Sequence, residues 1–509
     1  MRYVWSYQAI FIGEEDGGTA AYAFIHQIPN MMVTPYIHFF GWNIPGMYNF
    51  YLGPWSIYFL TPFVALGGCT IATFRCYSAF MFFFALWGTW RLAMLLSGDE
   101  ALALLSTLLL AVCPIMITTR SFHVDAPDMA ASVWALCFAI SFVRSRRPAY
   151  AYAACAAFFA GLCTRTWVAG LGVGMALYVA LTWRHVWALL PKSRAAKARL
   201  IAGCLACAAI FLLPIIILNI SYGWPTLKFF AAHMVKRDSV CTQVAGNACS
   251  NLDYWTNLKM SVSQLALFCD GDGTLRRQPW HWLYILPLLF SLLYAAQDAK
   301  RRRTLWSAPI MLWIVTAGYL MASAVSPTEQ IALHLVPLAP ILSVLVFFWL
   351  SAVPAGSPRK AALIAMILLC AAQFIGDFHL FRRENIDQER AGSYLNSPLV
   401  IDACRWAENH PKMPIISLST AFALAAPYFS QNRARLIWWP VWDPSYPIPW
   451  ERWLRRKDRP CFVAENDQYG RRNLDELRSQ AARLGIPLTL VDVFPDSTGR
   501  PGFEVYRAR

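Results

Sequence analysis

The stretch LIAGCLACAAIFLLPIIILNIS, residues 200–221, contains no charged side chain and is almost entirely apolar. A helix of about 20 such residues spans the hydrocarbon core of a bilayer. Similar blocks recur along the chain, and they give candidate spans near residues 72–96, 101–118, 129–143, 149–164, 166–183, 200–221, 281–297, 305–325, 331–352 and 361–378. About ten spans of this kind predict a polytopic α-helical membrane protein.

The overall composition supports this fold class. Of the 509 residues, 57% are hydrophobic and only 14% are charged, whereas soluble domains carry roughly a quarter charged residues. A soluble globular, disordered or coiled-coil protein is therefore excluded. One further apolar run, residues 50–66, is interrupted by Gly53, Pro54 and Pro62. We interpret it as a juxtamembrane helix in the interface rather than a span.

Lysine and arginine collect in the loops on alternate sides of the predicted spans. The basic loops contain Arg144, Arg146 and Arg147; Arg184, Lys192, Arg194, Lys197 and Arg199; Lys300–Arg303; and Arg359 and Lys360. All four fall on one face, which the positive-inside rule makes cytoplasmic. The net charge of +15 therefore needs no nucleic-acid partner.

The opposite face holds the remaining polar sequence, including an outer loop at residues 222–280. We predict a membrane domain at residues 1–379 and an extracytoplasmic α/β domain at 380–509, because strand-like runs alternate there with a helical stretch. These runs are Pro414–Leu418, Leu436–Val441 and Leu488–Val493, and the stretch is Leu474–Leu484. An oxidising compartment could pair Cys241 with Cys249, and less readily Cys404 with Cys461.

Two acidic turns lie on this outer face. The first is Glu14-Glu15-Asp16-Gly17-Gly18, followed by Tyr22, and the second is Arg120-Ser-Phe-His123-Val-Asp125-Ala-Pro127-Asp128. Taken singly, the first reads as a solvated turn and Asp125 as a helix N-cap before Pro127. Taken together, the two turns could meet over one cavity, where paired carboxylates suit general-base work or metal binding.

Five segments, in this order and spacing, resemble the landmarks of C-type membrane glycosyltransferases, the relatives of protein O-mannosyltransferases and aminoarabinose transferases. The segments are Glu15–Ala23, Trp42–Trp55, Phe74-Arg75, His123–Pro127 and His334–Pro340. The family's first span has no counterpart here, and we expect a first helix to be missing from the chain. Leu333-His334 stand where many members have an Arg-Tyr pair.

The resemblance implies transfer of a sugar from a polyprenyl-phosphate donor to a lipid, glycan or protein acceptor at the outer face. It implies that Asp16 is the general base, with Glu15 as runner-up, and that Asp125 is a second carboxylate of the site. Cations should bind the leaving phosphate, and Arg165 is best placed for this, with Arg120 or His123 as helpers. Tyr22 and His334 complete the substrate-binding candidates.

Several questions stay open at this level. No cofactor is certain, although a divalent metal ion is possible, because some relatives use one and others do not. A transporter or flippase for a lipid-linked or anionic substrate is the alternative function. Transporters commonly show paired repeats and ionisable groups at midplane, and neither pattern is present here. We expect the protein in a bacterial inner membrane, with its site on the periplasmic face.

Overall fold

The computed structural model describes most of the chain. The described residues are 20–22, 24–27, 36–46, 53–68, 71–113, 125–221, 223–224, 254–265, 284–325, 332–391, 398–418, 422, 426, 435–437, 448–466, 468–495 and 500–508. Among the features predicted above, the Cys241–Cys249 pair, the acidic turn at residues 14–18 and residues 120–124 of the second turn lie outside this part of the chain.

Each predicted apolar span is helical over most of its described residues. The membrane-domain helices are α1 (Trp55–Gly67), α2 (Ile71–Ser97), α3 (Glu100–Val112), α4 (Asp125–Ser145), α5 (Pro148–Leu162), α6 (Val168–Leu181), α7 (Trp183–Leu189), α8 (Arg194–Ser221), α9 (Tyr254–Leu265), α10 (Ile285–Arg302), α11 (Ala308–Ser323), α12 (Ala339–Phe348, between 3-10 segments Ala332–Leu338 and Trp349–Ala352) and α13 (Ser357–Ala391). Within the described residues, five helices are long and apolar enough to cross a membrane. The number of crossings stays a prediction.

The helices differ in what covers them. Every residue of α12 is buried, so this helix, apolar all round, forms the centre of the bundle. It packs with α2, α3, α4 and α11 in the largest hydrophobic cluster. By contrast, only 11% of the apolar window of α8 is buried inside the protein. An apolar surface of that size is typical of a helix that faces lipid.

Helices α2 and α4 run parallel in a fixed register. The indole nitrogen of Trp134 donates to the Phe84 carbonyl at 3.0 Å, and the Cys137 thiol donates to the Gly88 carbonyl at 3.4 Å. The partners are 50 and 49 residues apart, so both helices begin at the same end of the bundle. We call the end where α2 and α4 begin the acidic end, and the end where they finish the basic end.

The four basic loops meet at the basic end, as the sequence predicts. The Arg144 guanidinium donates to a carbonyl in the last turn of α2. Arg359 forms an ion pair with Asp99, the residue that caps α3. The ring of His185 stacks on Trp306, just past the third loop, with 5.4 Å between ring centroids. The side of the membrane on which this end lies stays a prediction.

Helices α6 and α11 approach each other closely because glycines line their contact. A Cβ atom on Gly174 would lie 2.3 Å from the Val315 carbonyl oxygen, and one on Gly318 would lie 2.5 Å from the Gly174 Cα atom. Small residues allow backbones to meet in this way in membrane helices. One turn from Gly174, Gly170 lies against the ring of Tyr319, so the contact also fixes the position of that ring.

The predicted juxtamembrane helix is present as α1. A two-stranded antiparallel hairpin, β1 (Tyr36–Phe39) and β2 (Trp42–Pro45), precedes it, and the sequence did not indicate this hairpin. The Tyr58 hydroxyl on α1 donates to the Pro45 carbonyl. Helix α1 is therefore tied to the hairpin at the end where it begins.

The C-terminal region forms the predicted α/β domain. Its sheet has the strand order β4-β3-β5-β7-β6, with β4 and β5 parallel to β3 and β7 antiparallel to β5 and β6. The elements are α14 (Pro398–Asn409), β3 (Pro414–Ser417), β4 (Arg435–Ile437), α15 (Trp450–Leu454), β5 (Cys461–Glu465), α16 (Gln468–Arg483), β6 (Leu488–Pro495) and β7 (Pro501–Ala508). The domain boundary predicted at residue 380 falls inside α13 and stays a prediction.

Cys404 and Cys461 carry thiols and share no disulfide, so the pairing considered for them is wrong in this structure. Both lie in one buried cluster of the sheet domain. The Cys461 thiol contacts the Met413 sulfur at 2.9 Å. Burial raises the pKa of Cys461 to about 11. The protonated thiol therefore behaves as a small apolar side chain.

Candidate functional site

The predicted site residues fall into three groups. Glu15, Asp16, Arg120 and His123 lie outside the described residues. Asp125 and His334 are described by their backbone, Asp125 as the first residue of α4 and His334 within the 3-10 segment that packs against α4. Tyr22 and Arg165 are described with their side chains. The structure therefore brings the α4 start and the segment carrying His334 to the same part of the bundle.

Asp128 is the residue that sequence reasoning missed. It is fully buried, and neither of its carboxylate oxygens has a hydrogen-bond partner within the described part of the chain. Asp128 lies one helical turn after Asp125, a spacing that puts two residues on the same face of a helix. Burial of a carboxylate without a partner costs free energy, so such a group marks a place where a ligand, a proton or another chain segment belongs.

The surroundings of Asp128 are polar although they lie inside the bundle. The α2–α4 register places Asp128 level with Ser78 on α2. The hydroxyls of Ser78, Tyr77 and Ser132 are also buried without a hydrogen-bond partner among the residues that are described. Buried polar atoms are nearly always satisfied in native proteins. Four such groups on neighbouring turns of two helices therefore form a polar region inside the bundle, of the kind that water or a substrate satisfies.

Two tyrosines lie near the Asp128 carboxyl group. They are Tyr77 on α2 and Tyr319 on α11, and both are completely buried. The charge of Arg165 also acts on Tyr319. The phenol of Tyr319 therefore lies near both the Asp128 carboxyl group and the Arg165 cation.

Arg165 lies in the turn at residues 163–167, between α5 and α6. Its backbone nitrogen donates to the Gly161 carbonyl at 2.8 Å, which continues the last turn of α5. Its guanidinium carbon lies 3.7 Å from the ring centre of Trp167, within the range of a cation–π contact. The side chain is half-buried, so the cation is held in place at the acidic end and keeps a polar face.

The start of α1 fits against this same turn. The Gly53 nitrogen donates to the Thr164 carbonyl at 3.3 Å. A Cβ atom at Gly53 would lie only 1.7 Å from the Cys163 carbonyl oxygen, so this position has room for glycine alone. Two stretches that the sequence singled out separately, around Gly53 and around Arg165, are therefore in direct contact.

The chain that follows the first acidic turn also reaches this region. Ala20 and Ala21 are buried in a cluster that contains Phe74 and Tyr77 of α2 and the inner face of α1. Tyr22 packs against that cluster, and its ring lies 4.2 Å from the ring of His26. Tyr22 therefore lies in the same packed unit as Tyr77.

A metal ion has no evident ligand set in the part of the chain that is described, since no three His, Cys, Asp or Glu side chains group together there. The acids of residues 14–16 lie outside that part. Asp128 alone supplies one buried carboxylate. The divalent ion allowed by the sequence stays a prediction.

Comparison with known proteins adds to this geometry. Residues 52–214 match the family model described as dolichyl-phosphate-mannose-protein mannosyltransferase. No curated protein sequence matches the chain. The matched range contains α1, the α2–α4 register, Asp125, Asp128 and the turn with Arg165.

Solved structures share the fold over nearly the whole chain. ArnT from Cupriavidus metallidurans bound to undecaprenyl phosphate has a TM-score of 0.63 at 13% identity, with 98% of this chain and 94% of that chain covered. The same protein in the apo state gives a TM-score of 0.56 at 12% identity, with coverages of 98% and 93%. The archaeal oligosaccharyltransferase AglB from Archaeoglobus fulgidus, in complex with an inhibitory peptide and a dolichol-phosphate, gives 0.51 at 12% identity, with coverages of 93% and 66%. The resemblance indicated by the sequence is thereby confirmed: the chain has the fold of polyprenyl-phosphate-dependent C-type membrane glycosyltransferases.

Proposed function

We propose that the protein is a membrane glycosyltransferase that moves a sugar from a polyprenyl-phosphate donor to an acceptor, with inversion. The observation that carries this proposal is the buried carboxyl group of Asp128, which has no hydrogen-bond partner among the described residues and, like Arg165, lies near the Tyr319 phenol. A buried acid and a positioned cation that both lie near one tyrosine suit a reaction in which a proton leaves one reactant and an anion leaves the other. The fold of known polyprenyl-phosphate enzymes gives the same substrate class.

In the proposed reaction, the acceptor hydroxyl or amine attacks the anomeric carbon of the donor sugar. The acceptor loses its proton to a carboxylate, and the bond from the anomeric carbon to the phosphate oxygen breaks. Asp16 is the base, with Glu15 as runner-up, and Asp125 orients a reactant. A single displacement of this kind inverts the anomeric centre.

The leaving lipid phosphate carries the negative charge that develops. Arg165 binds this charge, because a guanidinium presents paired donors that match phosphate oxygens. Arg120, His123 and His334 supply further donors, and Tyr22 lines the acceptor side. Asp128 lies one turn deeper than Asp125 and acts as a positioning residue through Tyr319.

Chain length supports a role for Asp16 in this site. Asp16 precedes Ala20 by four residues, which span at most about 14 Å of extended chain. Ala20 belongs to the cluster that contains Tyr77, and Asp128 acts on the phenol of Tyr77. The length of the intervening chain therefore allows Asp16 to act near this cluster. We place the site on the periplasmic face of a bacterial inner membrane, with the α/β domain on the same side.

Transfer of labelled sugar from a panel of polyprenyl-phosphate donors in liposomes tests the proposal. We expect transfer by the wild type and loss of at least about 100-fold in Asp16→Asn and in Asp125→Asn, since general-base groups contribute 10²–10⁴-fold. Glu100→Gln is the matched control, because Glu100 is an exposed acid at the basic end. Absence of transfer from every donor by a folded wild type would overturn the proposal and favour the transporter or flippase.

A further inference from the structure

The basic end of the bundle encloses a cavity of about 760 Å³, which is separate from the polar site around Asp128. Pockets of roughly 300–1,000 Å³ are typical of ligand sites in proteins. On α4 the cavity is lined from Leu136 to Arg144. At 1.5 Å per residue, these positions lie about 12 to 24 Å beyond Asp128 along the helix axis. The cavity therefore cannot serve the same reacting atoms.

Most of the cavity wall is aliphatic or aromatic. Small side chains on facing helices, such as Ala139 on α4 and Ala151 and Ala154 on α5, leave the space open. Met175, Val179 and Val315 cover the opposite wall. Val179 is 43% exposed on α6, a helix that also exposes Val173 and Leu181. An apolar wall of this kind accepts a hydrocarbon chain.

The charged side chains of the lining come from the final two turns of α4 and α10, which we call the rim. Arg144 and Arg302 are the cations among the described lining residues, and Asp298 is the acid. Arg302 and Asp298 form an ion pair at 2.7 Å, in which the Arg302 side chain is 61% exposed and that of Asp298 is 10% exposed. Arg302 therefore keeps free donor capacity toward water. Trp306, half-buried at the same rim, is a residue type that favours the headgroup region.

We propose that this cavity binds an anionic glycerophospholipid, with an acyl chain in the apolar part and the phosphate on Arg302 at the rim. The charge at this end of the bundle supports an anionic headgroup, since the four basic loops converge here. Basic pockets between membrane helices are known to take such headgroups. The aliphatic wall excludes a small soluble anion. A polyprenyl-phosphate that acts as donor has its phosphate at the other end of α4, near Arg165.

The proposal is independent of sugar transfer and is tested by lipid retention. The full-length protein is purified in detergent, exchanged against phosphatidylglycerol or phosphatidylcholine, and analysed by mass spectrometry of the intact folded protein. We expect one phosphatidylglycerol to be retained by the wild type, in preference to phosphatidylcholine. Arg302→Gln should lower retention about tenfold, since a charge-assisted hydrogen bond is lost. Arg303→Gln removes the same charge one residue outside the lining and should retain lipid as the wild type does.

Two further variants separate the headgroup from the chain. Arg302→Gln alone leaves the Asp298 carboxylate without its ion-pair partner. The double variant Asp298→Asn, Arg302→Gln removes that acid as well, and we expect it to lose lipid retention to the same extent as Arg302→Gln. Ala154→Phe fills the apolar part and should exclude the lipid, whereas Ala209→Phe, on the exposed face of α8, should not. Equal retention by Arg302→Gln and Arg303→Gln would overturn the headgroup assignment even if Ala154→Phe fails to fold. Equal retention of the two phospholipids, or retention of added polyprenyl phosphate instead, would overturn the choice of ligand.

Discussion

The two ends of helix α4 differ in polarity and in packing. At the acidic end, Asp128 and Ser132 are buried among polar groups that have no partner within the described residues. At the basic end, the same helix contributes Ala139, Val143 and Arg144 to an apolar cavity with cations only at its rim. At the acidic end, α4 thus buries polar atoms at a cost in folding free energy. At the basic end, it borders an apolar cavity, although protein interiors are usually close-packed.

This difference between the two ends suits two tasks, sugar transfer at the acidic end and lipid binding at the basic end. Buried polar atoms without hydrogen-bond partners destabilise a helical bundle. We infer that those at the acidic end are retained because they bind the substrate or take part in the reaction. An apolar cavity is destabilising as well, but a lipid chain fills it without any specific polar contact. The comparison predicts that changes at the acidic end affect turnover, while changes at the basic end affect lipid content and leave turnover largely intact.

Within this comparison, the largest expected effect is that of Asp128→Asn, which keeps the shape of the side chain and replaces its carboxyl group by an amide. We expect transfer to fall about 100-fold, because the positioned acid no longer acts through Tyr319. Thermal unfolding should occur at about the same temperature, because the amide has the same shape as the carboxyl group, which has no hydrogen-bond partner among the described residues. The two readouts are turnover in liposomes and the unfolding temperature in detergent.

A residue with a purely structural role would behave differently at this position. It would lose stability together with activity, or lose neither. Unchanged turnover in folded Asp128→Asn would show that the acidic end does not use this carboxylate. Tyr319→Phe sharpens the result: if Asp128 works through the Tyr319 hydroxyl, the double variant should lose no more activity than the single variants do.

The next effect in size is that of Arg165→Gln. The lost charge should raise the KM for the donor about tenfold, equivalent to about 1.4 kcal/mol of binding. Arg165→Lys keeps the charge but loses the planar group over Trp167, so an intermediate KM is expected. Arg184→Gln, an exposed change at the basic end, is the matched control. Equal KM values for all three variants would contradict a donor-binding role.

The sequence predicted the positions of the helices well, but it did not predict which polar side chains are buried between them. Blocks of about 20 apolar residues are a strong local signal, and all ten became helices. The interruptions at Gly53 and Pro62 correctly indicated the separate helix α1. Strands β5 and β7 were missed. Strand β5 is buried at four successive positions, and β7 has an irregular burial pattern, so neither shows the alternation that identifies a strand in sequence.

Asp128 was missed for a physical reason. In sequence it is a second acid at the start of a helix, where acids are common because they favour the helix dipole. Its enclosure depends on Tyr77 and Tyr319, which come from helices far away in the chain. The i, i+3 spacing from Asp125 was the available signal. The roles of Glu15, Asp16, Arg120 and His123 remain predictions, since these residues lie outside the part of the chain that is described.

We expect the smallest effect on transfer from two glycine substitutions, one at the acidic end and one at the basic end of the bundle. They test packing alone. Gly53→Ala puts a Cβ atom 1.7 Å from the Cys163 carbonyl oxygen, so the start of α1 must move away from the turn that holds Arg165. We expect a stability cost of about 2 kcal/mol and a lower transfer rate, because the cation shifts with its turn. Thermal unfolding and turnover are measured together.

Gly98→Ala is the matched change at the basic end. Gly98 has φ of +69° and no atom within 4 Å of the added Cβ, so only the left-handed backbone is strained, at a cost of about 1 kcal/mol. Transfer should be unaffected, since Gly98 lies at the far end of α2 from Tyr77. If the two variants lose transfer equally at equal stability, the contact between α1 and the Arg165 turn does not position the cation. Sugar transfer at the acidic end would then depend on the carboxyl groups and not on the position of Arg165.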